Sequence, residues 1–224
     1  MSQYFGGKAR ISKHLANIIS QHTTSSYCEP FCGMYSVGSK VKANQKVASD
    51  LHPDLILLLK AVQAGWEPPG ELSEERYGEL KKEEPSALRG FAGFSCSFGG
   101  KFFGGYARNG SRNYADVGRR NLLRLCPLIQ DTCFVAQSYT ETTESGVTYC
   151  DPPYASMTGY SVGPFDSTAF WQWCRDRMGV VLVSEYGAPE DFELLWSRDV
   201  KTDMRTKING REKRVEKLFL APSA

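Results

Sequence analysis

Residues 25–65 read SSYCEPFCGMYSVGSKVKANQKVASDLHPDLILLLKAVQAG. Ser25 to Phe31 has the composition of a short strand that runs into a turn at Pro30 and Gly33. Met34 to Asn44 reads as a helix, and Lys46 to Asp50 as a second strand. His52 to Gly65 predicts another helix, with Pro53 tolerated in its first turn. The run Leu55 to Leu59 is apolar all round, which predicts a buried helix. Strand, turn, helix, strand and helix joined by short links indicate a parallel α/β sheet.

Beyond that stretch the pattern breaks and then resumes. Gly65 to about Gly118 is rich in glycine, proline and charge. Asn121 to Ile129 reads as a helix and Cys133 to Ser138 as a strand. Val147 to Cys150 is a strand that ends in Asp151-Pro152-Pro153-Tyr154. Asp166 and Ser167 can cap a helix to about Met178. Val180 to Ser184 and Arg214 to Ala221 complete the strand-like runs. The expectation is one Rossmann-like α/β core, residues 1–65 and 121–224, interrupted by an insert at residues 66–120.

At 224 residues the chain suits one such core with a modest insert. No apolar run approaches the roughly 18 residues of a membrane span. Met1 to Arg10 lacks the apolar centre of a secretion signal, so a cytoplasmic protein is expected. Seven cysteines, an odd number, are scattered and several lie in strand-like runs, which suggests reduced, buried thiols. Cys28 and Cys32 have no second pair at zinc spacing, so no metal is expected. Net charge is only +2, but its distribution is uneven. Glu67 to Glu84 holds seven acids and three bases, Pro85 to Leu125 seven bases and one acid, and Lys201 to Lys217 seven bases and three acids. A polyanion can bind one face of such a surface, although two solvated charged faces would look the same.

Three features fall at strand ends, where open α/β sheets bind ligands. Glu29-Pro30-Phe31-Cys32-Gly33 places an acid before a turn that lets a ligand approach the backbone. Asp50 ends the next strand, where a carboxylate can accept both hydroxyls of a ribose. Either feature also fits a tight turn or a helix cap. Asp151-Pro152-Pro153-Tyr154 is sharper. Two prolines remove two backbone donors, so a carboxylate, a fixed carbonyl and an aromatic ring are presented together. An aromatic amine is a poor nucleophile because its lone pair is delocalised. Acceptors on both amino hydrogens favour a pyramidal nitrogen, and Tyr154 can stack on the ring. A surface turn is the plainer alternative.

Tyr4-Phe5-Gly6-Gly7-Lys8, Glu29-Pro30-Phe31-Cys32-Gly33, Ser49-Asp50 and Asp151-Pro152-Pro153-Tyr154 occur in an order that resembles the Dam-like DNA adenine-N6 methyltransferases. The resemblance implies a class I methyltransferase fold with a mixed sheet of about seven strands. It implies S-adenosylmethionine as donor, adenine in double-stranded DNA as acceptor, and flipping of that adenine out of the duplex. Carried over by motif, Tyr4 and Lys8 would close over the donor, and Glu29, Phe31 and Gly33 would line its methionine end. Asp50 would hold the ribose, while Ser138 and Tyr139 would flank the donor's adenine. Asp151, Pro152 and Tyr154 would hold the target base, with Asp151 also bordering the donor. Lys8 is counted with the catalytic group. Val183-Ser184-Glu185-Tyr186 departs from the Ser-Asn common in the family. Tyr160 or Phe165 is a candidate second aromatic face. Such a protein works in a bacterial or phage-infected cell, and the sequence does not say whether a restriction endonuclease accompanies it.

The insert is the candidate target reader. Gly90 to Gly110 holds seven glycines and six aromatics, interleaved with Arg89, Lys101 and Arg108 and followed by Arg112. Basic side chains release counterions from DNA, and aromatics can wedge where a base leaves the duplex. Most of the phenylalanines read equally as a small core for the insert. Arg205 and Arg211 are further candidate DNA contacts. The competing functional readings are methyl transfer to RNA adenine or another planar amine, and a DNA-binding protein that has lost catalysis.

Overall fold

The computed structural model describes residues 8–22, 25–153, 165–201 and 213–223. Tyr4, Tyr154, Tyr160, Arg205 and Arg211 lie outside them. In chain order the elements are α1 (Ser12–His22), β1 (Ser26–Glu29), β2 (Gln45–Asp50), α2 (Pro53–Gln63), α3 (Glu74–Leu80), α4 (Ala87–Ser95), α5 (Tyr114–Leu125), β3 (Thr132–Ala136), β4 (Val147–Cys150), α6 (Ser167–Asp176), β5 (Val180–Glu185), β6 (Glu193–Lys201) and β7 (Lys213–Leu220). The seven strands form one sheet in the order β3-β2-β1-β4-β5-β7-β6. β1 to β5 are mutually parallel, and β7 is antiparallel to both β5 and β6. This is the Rossmann-like class I arrangement expected from the sequence. Strand order reverses between β1 and β4, so the ligand crevice lies outside their carboxyl ends.

Alternation along the strands shows why both faces are covered. Tyr149, Leu182 and Leu218 point into one apolar cluster with Leu15, Ile19, Leu55 and Phe91. Their neighbours Cys150, Val181, Val183 and Phe219 point into the opposite cluster with Phe170 and Cys174 of α6. Side chains one apart in a strand face opposite sides, so a sheet apolar at both parities needs helices on both. Asp166 caps α6 as expected, accepting the Ala169 N–H at 3.0 Å.

Two expectations are revised. Met34 to Asn44 holds a short 3-10 turn at Gly38–Lys40, with no α-helix among these residues. Tyr35 sits in the left-handed region at φ 54°, which stops helical propagation at the second residue. Its ring is fully buried against Phe134, centroids 5.2 Å apart. Gly38 makes room for that arrangement, because a Cβ there would lie 2.2 Å from the Tyr35 ring and 2.3 Å from Glu29 Oε2. The helix predicted from Asn121 instead begins at Tyr114, where Asn113 caps it by accepting the Asp116 N–H at 3.0 Å.

Residues 66–120 hold α3, α4 and the start of α5 rather than an irregular loop. α4 lies so close to α2 that a Cβ on Gly90 would meet the Asp54 carbonyl at 2.4 Å. Phe91, Phe94 and Phe103 join the same apolar cluster as α2, so most of the insert's aromatics are core. Phe98 is the exception, 72% exposed on a turn that continues into Gly99 and Gly100. No helix among the described residues is long and apolar enough to cross a membrane.

Candidate active site

β1, β2 and β4 are neighbours in the sheet, and each ends in or just before an acid: Glu29, Asp50 and Asp151. The Lys8 side chain, only 7% exposed, reaches the end of β4. Its Nζ lies 2.8 Å from Asp151 Oδ1 and 3.4 Å from Glu216 Oε2. Burial pulls the Lys8 pKa down, but the charges of Asp151 and Glu216 outweigh it and hold the ammonium above its ordinary value. Lys8 is therefore a fixed cation between two carboxylates.

Glu29 is buried, and the Tyr27 hydroxyl donates to its Oε2 at 2.7 Å. Burial pushes its pKa up to about 8, against the opposing hydrogen bond from Tyr27 and with help from the charge of Asp151. Asp50 braces the turn after β1, since its Oδ2 accepts the Gly33 N–H at 3.1 Å and its Oδ1 the His52 N–H at 3.0 Å. Burial also raises the pKa of Asp50, and the backbone N–H groups of His52, Gly33 and Leu51 oppose it. A carboxylate has about four lone-pair sites, so one stays available at Asp50 after these three bonds.

Phe31, after β1, and Tyr139, after β3, stack with centroids 5.3 Å apart and planes 28° apart. Ser138 sets that tyrosine, because it forms a capping box with Glu141 at the start of the Tyr139–Glu141 turn. Phe165 meets Phe31 edge-on at 5.9 Å, which puts this candidate second aromatic face beside the Phe31–Tyr139 pair. Pro152, next to Asp151 in the chain, lines a cleft of about 280 Å³ with Phe165, Phe170, Trp171, Glu185 and Tyr186.

The donor set suits S-adenosylmethionine. That molecule carries a sulfonium, an ammonium and a ribose diol, and the strand ends offer the acids Glu29, Asp50 and Asp151. Among the described residues no group of three or more His, Cys, Asp or Glu is placed to hold a metal ion. All seven cysteines are free thiols, and five of them are buried.

The candidate DNA contacts are placed unequally. Lys101 is exposed just after the Phe98 turn. Arg108 is exposed and ion-paired with Glu74 of α3. The Arg112 guanidinium lies 5.0 Å from the Tyr114 ring centroid. Arg89 is turned inward, paired with the buried Asp54 and donating through Nε to the Leu80 carbonyl at 3.1 Å. A guanidinium so committed is a brace within the fold.

Sequence reasoning missed Glu216 and the Tyr35–Gly38 seat beneath Glu29. A signal for Glu216 existed: it shares strand parity with the buried Leu218 of β7, so an acid there points inward. Nothing local announces Tyr35, whose left-handed backbone is uncommon for an aromatic residue.

Solved structures with similar folds include a putative RNA methyltransferase from Pyrococcus horikoshii, at 8% identity and TM-score 0.46 over 96% of this chain and 83% of that one. A putative methyltransferase from Escherichia coli matches at 9% identity and TM-score 0.45, over 96% and 86%. The 23S rRNA methyltransferase ErmE matches at 9% identity and TM-score 0.43, over 98% and 70%. No curated protein matches the chain. Residues 4–87, which contain Lys8, Glu29, Gly33 and Asp50, match the D12 class N6 adenine-specific DNA methyltransferase family, the same family its motifs resemble.

Proposed function

We propose that this chain is a site-specific DNA methyltransferase that transfers a methyl group from S-adenosylmethionine to the exocyclic amine of adenine. One observation carries the reading: Glu29, Asp50 and Asp151 converge at the ends of three adjacent strands, with Lys8 clamped on Asp151. When bound, the donor supplies a methyl group on a sulfonium that departs without acid catalysis. Glu29 and Phe31 hold its methionine end, Asp50 its ribose, and Tyr139 its adenine. The target adenine is turned out of the duplex, at a cost of a few kcal/mol, into the cleft beside Pro152. That cleft is near the lower end of the ligand-pocket range of about 300–1,000 Å³, which suits one flat base.

Asp151 accepts a hydrogen bond from the amine, which localises the lone pair for in-line attack. A C–N bond forms as the S–C bond breaks, the positive charge moves from sulfur to nitrogen, and the released proton passes by way of Asp151 to water. Alignment of this kind lowers a barrier by about 7–11 kcal/mol in well-oriented cases. Residues 66–120 serve as the target-recognition region, with Lys101, Arg108 and Arg112 on the DNA side and Phe98 as the exposed aromatic beside them. Tyr4 and Tyr154 keep the roles that the resemblance implies for them, and Arg205 and Arg211 are further DNA contacts.

The test uses duplex DNA and RNA of matched sequence as competing substrates, with modified-adenine sequencing as the readout. Methylation confined to adenines of duplex DNA is expected. Asp151→Ala should abolish it and leave donor binding by calorimetry largely intact. Methylation of RNA alone, or near wild-type turnover by a folded Asp151→Ala protein, would sink the reading.

A further inference from the structure

An acid in the body of a strand, on the parity that faces the core, is costly unless its charge is used. Glu216 is such an acid: it lies in β7 two residues before the fully buried Leu218, and its side chain is 14% exposed. β7 is separated from β4 by β5, yet Glu216 Oε2 comes within 3.4 Å of the Lys8 ammonium that contacts Asp151 at 2.8 Å. An apolar residue at this position would pack in the fold without that penalty.

The charge count points to its use. Lys8 and Asp151 alone would make a neutral pair, with the negative charge of Asp151 drawn onto the ammonium. Among the described residues, Glu216 sets a second carboxylate against that ammonium. We propose that Glu216 is a positioning residue that shares Lys8 with Asp151, so that less of the Asp151 charge is drawn onto the ammonium and more of it acts on the acceptor amine. The assignment of the amine rests on the methyl-transfer reading, whereas the sharing of Lys8 does not. A fixed negative charge there is also complementary to the positive charge that reaches the acceptor nitrogen during transfer.

Glu216→Gln preserves the shape and removes the charge, and Glu216→Asp keeps the charge on a shorter stem. Turnover by Glu216→Gln is expected to fall by about tenfold or more. Its KM for DNA and its donor affinity should stay within about twofold of wild type, and Glu216→Asp should recover part of kcat. A second readout does not need activity. Competitive labelling of amines, followed by mass spectrometry across pH, reports the Lys8 pKa. Among the described residues the charges that face Lys8 are Asp151 beyond β4 and Glu216 on β7, with Glu29 of β1 acting on Asp151. Removing the Glu216 charge should therefore lower the Lys8 pKa. An unchanged Lys8 titration overturns the proposal. So does a loss of turnover matched by equal losses in donor affinity and thermal stability, which would mark a purely structural role. If wild type methylates no nucleic acid but Lys8 still shifts in Glu216→Gln, the sharing of Lys8 stands and the methyl-transfer reading fails.

Discussion

Replacing Arg89 by alanine separates a structural brace from a DNA contact. The Asp54 side chain is 1% exposed, and its Oδ1 accepts the Ser86 N–H at 2.9 Å. The other oxygen is held by the Arg89 guanidinium, which also lies 5.3 Å and 5.5 Å from the ring centroids of Phe102 and Phe103. His52 Nδ1 is 3.8 Å from the same carboxylate, too far to replace that bond. Deleting one partner of a buried pair costs about 3–5 kcal/mol, because the other charge is left desolvated. The Arg89 side chain is 17% exposed, so water reaches part of the pair and about 3 kcal/mol is the better figure. For a chain of this length each kcal/mol moves Tm by about 2–4 °C, so the expected fall is roughly 6–12 °C. Thermal unfolding followed by circular dichroism measures it. Asp54→Leu combined with Arg89→Met removes both charges and should recover most of the loss. DNA affinity of Arg89→Ala, measured well below its Tm, should match wild type at every salt concentration. An unchanged Tm, with affinity weakened for all sequences alike, would refute the brace and return Arg89 to the DNA face.

Glu29 should make donor binding release a proton. Its pKa of about 8 leaves roughly 0.9 of it protonated at pH 7, and an incoming ammonium favours the carboxylate, so close to one proton leaves. Calorimetry in buffers of different ionisation enthalpy reads this directly, and Glu29→Gln should release none. In the free protein the same group lowers stability as pH rises from about 4.5 to about 8, because over that window the folded state binds more protons than the unfolded state. In the insert, Arg108 is paired with Glu74, so Glu74→Gln should strengthen DNA binding and Arg108→Ala should narrow the set of discriminated bases. If Arg108→Ala keeps the wild-type site logo and only shallows the salt dependence by about one unit, Arg108 touches phosphate alone.

The parts of this molecule that were legible in its sequence are those set by neighbours in the chain. β1, β2 and β4 lie where short apolar runs meet proline, glycine or acid, because a strand end and its turn are written within a few residues. Their acids converge because parallel strands in one sheet carry their carboxyl ends to one edge. The region from Met34 to Asn44 failed because its pattern is helical while Tyr35 adopts a backbone that distant partners, the Phe134 ring and the Thr132 hydroxyl, make worthwhile. α4 was hidden by Gly90 and Gly93, which lower helix propensity. At Gly90 the missing Cβ is what lets α4 reach the α2 backbone.

The charged groups followed a different logic. Arg89 sits 35 residues from Asp54, and Lys8 and Glu216 come from opposite ends of the chain. A basic stretch read along the sequence cannot distinguish a guanidinium facing solvent from one spent on a buried acid, since both satisfy the same local composition. The distinction arises only after folding, from which charges lose water. Lys101 and Arg108 keep theirs, so they can meet a polyanion at little desolvation cost. Lys8 and Arg89 have already lost most of theirs and are held by carboxylates that would be stranded without them. The two lysines and two arginines thus divide by hydration rather than by position: Lys8 and Arg89 are committed to carboxylates within the fold, while Lys101 and Arg108 stay exposed.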